Sequence, residues 1–228
     1  MTLRANARLA GFTFLLYIAA GITIMVVSGT VFTGHGAAEK LASAARAAVP
    51  MRSIVLMGLV TVACAVVLAV TLYRITRDVD EDLARMAMVC RVMEGVFGAL
   101  GVVATVGLIW LATAAMPNKP GGLDGSTSSG LAQLFFEVQG LNLAAIFFSV
   151  GSLLFSYLLL RGRMIPAALA WIGVIASLLL VVALPLQLVG VVRDAMVGFL
   201  WMPMLAFEVP LGFWLMVKGV RMPEAMRV

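Results

Sequence analysis

Residues 95–116 read GVFGALGVVATVGLIWLATAAM, 22 consecutive residues without a charged side chain. A helix rises about 1.5 Å per residue, so this stretch is long enough to cross the ~30 Å hydrocarbon core of a bilayer. The whole chain has a similar character, since its 228 residues are 63% hydrophobic and only 12% charged. Soluble domains average about 25% charged residues, and a chain of this size cannot bury so much apolar surface in water. The composition therefore excludes a soluble globular protein and predicts one that lies in lipid.

Five further apolar segments are long enough to span a membrane, and the predicted fold is an all-α, polytopic bundle of six transmembrane helices. Helices are the predicted element because the alternating ten-residue strands of a membrane barrel do not occur in the sequence. A short helix lying in the membrane interface is predicted over residues 37–48, where apolar side chains recur at helical spacing. Because the connecting loops are short, we expect a single membrane domain over residues 1–228. The predicted spans cover about residues 9–32, 53–73, 88–116, 131–160, 165–192 and 196–217.

The lysines and arginines lie mainly at the ends of the apolar segments. Ten of the sixteen fall on the side that holds the N-terminus and five on the opposite side. Since cytoplasmic loops carry the excess of positive charge, both termini are predicted to be cytoplasmic. These anchoring residues account for the net charge of +5, and no basic patch interleaved with aromatic residues suggests a nucleic-acid partner. The expected partners are membrane lipid, a small-molecule or ion ligand, and either a second copy of the chain or another membrane subunit.

Four stretches of the chain together resemble a known family. They are RLAGFTFLLYIAAG at residues 8–21, LYRITRDVDEDLARMAMVCRVMEG at 72–95, FFSVGSLLFSYLLLRGRMIPAALAWIGVI at 147–175 and FEVPLGFWLMVKGV at 207–220. In order and spacing they resemble the bacterial membrane family known as domain of unknown function four-three-eight-six, although Ser149 stands where glycine is expected. The resemblance implies one six-helix domain in the bacterial cytoplasmic (cell inner) membrane. It implies no catalytic residue, because the family brings no established chemistry.

Glu208 is the charged residue that anchoring does not explain, because it lies about halfway along the last span. A charged side chain at mid-membrane costs about 2.5–3.5 kcal/mol on insertion scales. Pro210 cannot donate a hydrogen bond to the carbonyl of Ala206, so a free carbonyl lies close in sequence to the carboxyl group. The functional interpretation is a proton, cation or substrate site that faces the bundle interior. The structural interpretation is an interhelical hydrogen bond or ion pair that stabilises the bundle.

The fourth apolar segment begins with several polar residues, so that end either protrudes at the outer interface or lines an aqueous vestibule. His35, the only histidine, lies in an outer loop between two glycines. It is either an ordinary solvated side chain or part of a mixed site with Glu137 or Glu208. The candidate ligand-binding residues are therefore Glu208, Glu137, Gln139, Asn142, Gln133 and His35.

Arg91 and Glu94 stand three residues apart and can pair along one helix face. Because residues 95–116 alone can span the membrane, we expect this pair at the inner interface, with its charges snorkelling to water. No catalytic residue, metal site or cofactor is predicted. One histidine is too few for the histidine-rich membrane metalloenzymes, and no nucleophile elbow, phosphate-binding loop, CxxC or HExxH occurs. An enzyme is therefore the less favoured class.

Two functional hypotheses follow from these residues. The first is non-enzymatic binding or transport of a small ligand, lipid or ion in an outward-facing polar cavity built around Glu208 and Glu137. The second is a structural or regulatory membrane subunit whose buried acidic residues only stabilise packing. The effect of Glu208→Gln distinguishes them, because only the first hypothesis expects ligand occupancy to depend on this carboxyl group.

Overall fold

The computed structural model describes residues 2–114 and 123–221, and these residues form helices without any strand. Six segments of this part of the chain are long and apolar enough to cross a membrane, the fourth of them formed by α5 and α6 together. The predicted all-α, six-span fold class is therefore confirmed. The helices are α1 (Leu3–Val31), α2 (Ala37–Ala45), α3 (Ala48–Thr76), α4 (Glu81–Ala114), α5 (Gly125–Gly140), α6 (Leu143–Arg161), α7 (Ala167–Leu188) and α8 (Asp194–Val217).

The predicted short helix over residues 37–48 corresponds to α2, and the third span corresponds to α4. The predicted end of that third span, at residues 115–116, lies outside the described residues. The fourth apolar segment differs from a single continuous helix, because the structure divides it at Leu141 and Asn142. Asn142 has a positive φ of 45°, a left-handed conformation that asparagine tolerates better than most residues. This conformation lies between the last residue of α5, Gly140, and the first residue of α6, Leu143.

The turn before α4 shows how local sequence sets a helix boundary. The side chain of Asp80 accepts a hydrogen bond from the backbone N–H of Leu83 at 3.2 Å, which satisfies one of the free donors at the start of α4. Asp80 also pairs with Arg161, at the end of α6, at 2.8 Å. Glu81 and Asp82 follow in the first turn, where negative charge is favourable. The start of α4 is therefore tied to the end of α6.

The chain divides into two compact units, and α1, α3 and α4 each contribute one part to each unit. Within the described residues, the first unit comprises 2–18, 63–96 and 143–221. Here α7 packs against both α6 and α8, and the backbone N–H of Arg221 bonds to the carbonyl of Met164 at 3.0 Å. Its apolar core includes Phe14, Leu68, Leu72, Phe155, Leu158, Leu180, Met204, Phe207 and Leu211.

Two glycines in the first unit allow helices to approach closely. A Cβ atom on Gly11 of α1 would lie 2.5 Å from the backbone oxygen of Gly212 in α8 and 2.7 Å from the backbone nitrogen of Met216. A Cβ atom on Gly173 of α7 would lie 2.5 Å from the ring of Phe207. Small residues at such positions are the usual way in which membrane helices pack tightly. The position of α8, which carries Glu208, therefore depends on both glycines.

The second unit comprises residues 19–62, 97–114 and 123–142 of the described chain. In it α2 packs against α5, and the rings of Phe32 and Phe136 meet edge to face at 5.3 Å. The Nζ atom of Lys40 lies 5.4 Å from the centre of the Phe136 ring. Gly107 leaves room for Phe135, whose ring lies 2.7 Å from the position of an added Cβ atom. The buried core of this unit includes Val31, Leu41, Met51, Ile54, Leu108 and Leu111.

Candidate functional site

The most unusual feature of the first unit is a group of charged side chains enclosed by protein. Arg91 is 0% exposed, Glu94 is 3% exposed and Glu208 is 5% exposed. Arg91 and Glu94 come from α4 and Glu208 comes from α8, while Tyr17 joins them from α1. We call Tyr17, Arg91, Glu94 and Glu208 the charged cluster. Charged residues are almost never fully buried unless they are paired, so the contacts of this cluster decide what it can do.

Glu94 is fully engaged within the charged cluster. Its Oε2 atom accepts a hydrogen bond from Nη1 of Arg91 at 2.7 Å, and its Oε1 atom accepts one from the hydroxyl of Tyr17 at 2.6 Å. The first contact follows from the spacing of three residues along α4, which places both side chains on one face. The second contact connects α4 to α1. Both oxygens of Glu94 are thus held in place by charge-assisted hydrogen bonds.

Glu208 is only loosely engaged. Its Oε1 atom lies 3.8 Å from Nη2 of Arg91, which is too long for a hydrogen bond. Within the described part of the chain, neither of these two atoms has a hydrogen-bond partner, and the same holds for Nε of Arg91. Buried polar groups without partners are costly and uncommon. The Arg91–Glu208 contact is therefore a charge interaction with unused hydrogen-bonding capacity on both sides.

Aromatic rings surround the guanidinium group of Arg91. Its Cζ atom lies 4.8 Å from the ring centre of Phe148, 5.7 Å from that of Phe14 and 5.9 Å from that of Tyr17. Each ring is close enough to attract the cation through its π face. Gly151 of α6 makes room for this arrangement, since an added Cβ atom would lie 3.3 Å from Cγ of Arg91. The aromatic rings shield the cation from lipid while leaving it within reach of both carboxylates.

The charges of the cluster do not balance when both carboxyl groups are ionised. Arg91 contributes one positive charge, while Glu94 and Glu208 contribute one negative charge each, and Tyr17 is neutral as a hydrogen-bond donor. The excess is one negative charge in a buried position. A proton or a small cation at Glu208 would remove this excess, because Glu208 carries the oxygen without a hydrogen-bond donor.

The other predicted candidates lie in the second unit. Glu137 is exposed, and its Oε1 atom accepts a hydrogen bond from Gln133, one helical turn earlier, at 2.5 Å. The amide of Gln139 donates to the hydroxyl of Thr105 at 3.1 Å. Asn142 is exposed at the break between α5 and α6. His35 is exposed in the turn before α2, where its backbone N–H donates to Glu39 at 2.7 Å. The described hydrogen bonds of Gln133, Glu137 and Gln139 thus stay within this unit.

One sequence-based expectation needs correction. The Arg91–Glu94 pair was expected to snorkel to water at the membrane interface, but both side chains are enclosed in protein. The reason is that Phe14, Tyr17 and Phe148 cover the guanidinium group. Sequence reasoning did not detect Tyr17 as a partner of Glu94. The only signal was a tyrosine inside an apolar segment, and that pattern does not identify a partner in a distant helix.

The hydrogen bond from Tyr17 to Glu94 can be tested directly. Tyr17→Phe is expected to lower the free energy of unfolding by about 1.5–3 kcal/mol, because it removes a buried hydrogen bond to a charged group. The matched control is Tyr73→Phe, which removes a longer contact of 3.3 Å to Glu81 at an exposed position and should change stability by about 0.5 kcal/mol or less. Unfolding in mixed detergent micelles measures both. Equal losses in the two variants would contradict the role assigned to Tyr17.

Six helical segments that are long and apolar enough to cross a membrane indicate a polytopic α-helical membrane protein, and its first unit contains a buried group of ionisable side chains. The comparison with protein families is more specific. The family described as "Domain of unknown function (DUF4386)" matches residues 9–219, and the chain belongs to this family. No curated protein and no solved structure matches the chain.

Proposed function

We propose that the chain is a non-enzymatic protein of the bacterial cytoplasmic membrane, with both termini in the cytoplasm, that binds a proton or a small monovalent cation at the charged cluster. The observation that supports this proposal is the buried excess of one carboxylate over the single guanidinium group. The ligand is placed at Glu208 because both oxygens of Glu94 already accept hydrogen bonds, whereas Oε1 of Glu208 has none. Binding would leave the cluster electrically neutral.

The physical reason for binding is the cost of an uncompensated buried charge. Moving an unpaired ion out of water costs several kcal/mol even after relaxation of the protein. Arg91 compensates the charge of Glu94 through a contact of 2.7 Å. Its contact with Glu208 is 3.8 Å long, so it compensates the charge of Glu208 less well. The remaining member of the cluster, Tyr17, already donates its hydroxyl hydrogen to Glu94. A proton or cation at Glu208 therefore supplies the charge that the cluster lacks.

The proposed site is smaller than the one expected from the sequence, because it includes Glu208 but not Glu137. It rests on contacts within the first unit and makes no use of the exposed glutamate of α5, Glu137. Glu137 instead provides a matched control, because it is also a glutamate in an apolar segment but is exposed and has no cationic partner within 4.0 Å among the described residues. Replacing each glutamate by glutamine removes one titratable group and keeps the size of the side chain.

The expected result is that Glu208→Gln abolishes binding and Glu137→Gln does not. In lipid nanodiscs, infrared difference spectra recorded between acidic and alkaline buffer should show the carbonyl band of a buried carboxylic acid in the wild type. That band should be absent from Glu208→Gln and unchanged in Glu137→Gln. Repeating the titration at high and low sodium or potassium concentration separates the two ligands, since a bound cation competes with the proton and shifts the midpoint. Spectra and cation titrations of Glu208→Gln identical to the wild type would overturn the proposal.

The alternative function is a structural or regulatory membrane subunit in which the charged cluster only stabilises packing. The observation in its favour is the close enclosure of Arg91 by three aromatic rings, which leaves the cation held in one position. Under this alternative, Glu208→Gln lowers the unfolding temperature in detergent without altering any carboxylic-acid band or cation dependence. The two measurements on the same variant thus distinguish binding from packing.

A further inference from the structure

The first unit contains a small cavity next to Arg91. Its volume of about 10 Å³ is close to the minimum that one water molecule needs. Its wall is mostly apolar, with Phe14, Phe155 and Phe207 among the lining residues. The polar residues of the wall are Arg91 from α4 and two serines of α6, Ser152 and Ser156. Apart from these groups, the cavity offers a ligand only hydrocarbon contacts.

Arg91, which lines this cavity, carries unused hydrogen-bond donors. Its Nε and Nη2 atoms are buried and have no hydrogen-bond partner in the described part of the chain, although Nη1 bonds to Glu94. Nε–H and Nη2–H point in parallel from one edge of the planar guanidinium group and together bind an acceptor well. An empty cavity would leave both donors unsatisfied in the interior, at a cost of about 1–3 kcal/mol for each buried group. A hydrogen-bond acceptor beside the Nε–Nη2 edge of the guanidinium group would satisfy both donors.

The charge and size of the site select the ligand. An anion is disfavoured because the charged cluster already has an excess of negative charge. A cation is disfavoured because Arg91, which lines the cavity, is itself positively charged. The space holds a single heavy atom, so the ligand is a small neutral acceptor. We propose that the cavity is a binding site for one water molecule, which accepts hydrogen bonds from Nε and Nη2 of Arg91 and donates hydrogen bonds to Ser152 and Ser156.

The serines extend this polar region toward α7. A Cβ atom on Gly173 would lie 2.7 Å from the hydroxyl of Ser156, which places these two residues side by side on neighbouring helices. Since α6 and α7 are joined by a short turn and pack together, helical spacing from the Gly173–Ser156 contact leads us to expect Ser177 at the level of Ser152. The hydroxyl oxygen of Ser177 is buried without a described hydrogen-bond partner. The proposed water site would thus connect Arg91 with the hydroxyl groups of Ser152 and Ser156 on α6.

Hydroxyl-radical labelling with short X-ray pulses tests this water site. Radicals form from water, including bound internal water, and oxidise the side chains next to it. Phe155 and Phe207 line the cavity, whereas Phe148 is equally buried but does not line it. In wild-type protein in nanodiscs, mass spectrometry should show Phe155 and Phe207 oxidised at least about threefold faster than Phe148, because a bound water lies beside only the first two. Equal rates at the three positions would overturn the proposal.

Two serine variants provide the second arm of the experiment. Ser152→Val removes a hydroxyl group and adds a methyl group to the cavity, so the oxidation of Phe155 and Phe207 should fall to the level of Phe148. Ser149→Ala is the matched control, since Ser149 is buried on the same helix but bonds to the carbonyl of Ile146 and does not line the cavity. Unchanged labelling in Ser152→Val would contradict the site, and if this variant does not fold, the wild-type comparison alone decides.

The water site does not depend on the proposed function. Glu208→Gln should leave the labelling of Phe155 and Phe207 intact, because Glu208 does not line the cavity. Loss of the carboxylic-acid band without loss of labelling would support both proposals. Labelling without any titratable band would retain the water site and reject proton binding.

Discussion

Replacing Arg91 by glutamine should lower the free energy of unfolding by about 3–5 kcal/mol, which is the usual cost of removing one partner from a buried ion pair. The variant leaves Glu94 and Glu208 enclosed together without a cation, and it also removes the group that the three aromatic rings surround. Equilibrium unfolding in mixed detergent micelles measures this loss. This loss should be larger than that of any other single substitution predicted for this protein, because every other member of the charged cluster interacts with the guanidinium group of Arg91.

Arg85 provides the control for this experiment because it lies on the same helix. It pairs with Glu81 at 2.6 Å and Asp82 at 3.2 Å, but it is exposed, so Arg85→Gln should cost about 1 kcal/mol or less. The double variant Arg91→Gln, Glu208→Gln is expected to recover part of the stability lost in Arg91→Gln, since it removes one of the two uncompensated carboxylates. Similar losses for Arg91→Gln and Arg85→Gln, or no recovery in the double variant, would contradict the buried charge pairing.

Gly11→Ala is the second substitution with a large expected effect. We expect a loss of about 2–3 kcal/mol, because the added methyl group meets backbone atoms of α8 that cannot move without displacing the helix. The displacement would also shift Glu208, which lies one turn before Gly212 on α8, the residue that Gly11 contacts. Thermal unfolding in detergent gives the change in stability. The infrared titration of the carboxylic-acid band reports any change at Glu208 in the same variant.

A glycine on the same helix serves as the reference for this prediction. Gly21 has no neighbouring atom within 4 Å of an added Cβ atom. Gly21→Ala should therefore leave packing unchanged and raise stability by up to about 1 kcal/mol through the better helix propensity of alanine. If Gly11→Ala were as well tolerated as Gly21→Ala, α1 and α8 could not pack as closely as the structure places them.

Length and composition were sufficient to predict the fold class. An uncharged stretch such as residues 95–116 predicts a spanning helix, because lipid offers no partners to the backbone of any open structure. The break between α5 and α6 was harder to predict, since an asparagine in the left-handed region follows the end of α5 and no proline marks the position. The sequence also did not indicate which glycines are closely packed against another helix. Gly11 and Gly21 occur in the same apolar segment, and only the approach of α8 distinguishes them.

The candidate site was predictable in part. Spacing alone was enough to predict the pairing of Arg91 with Glu94, because it depends on the geometry of one helix. Mid-span position was enough to single out Glu208. The contact between Arg91 and Glu208 depends on how α4 and α8 pack, and an apolar helix surface contains little information about which neighbour it meets. The position of Glu137 near the polar start of its segment left two interpretations open, and the structure shows that this side chain is exposed.

The pairing of Arg91 with Glu94 inside one helix has a consequence for how the protein is made. A charged side chain inside a spanning segment costs about 2.5–3.5 kcal/mol when a helix leaves the translocon alone. Since Arg91 is synthesised three residues before its own counter-ion, we expect α4 to enter the bilayer as a nearly neutral segment. Glu208 follows in the last helix, when the guanidinium group is already in place. The order of charges along the chain therefore allows each one to be inserted during translation without waiting for a partner that does not yet exist.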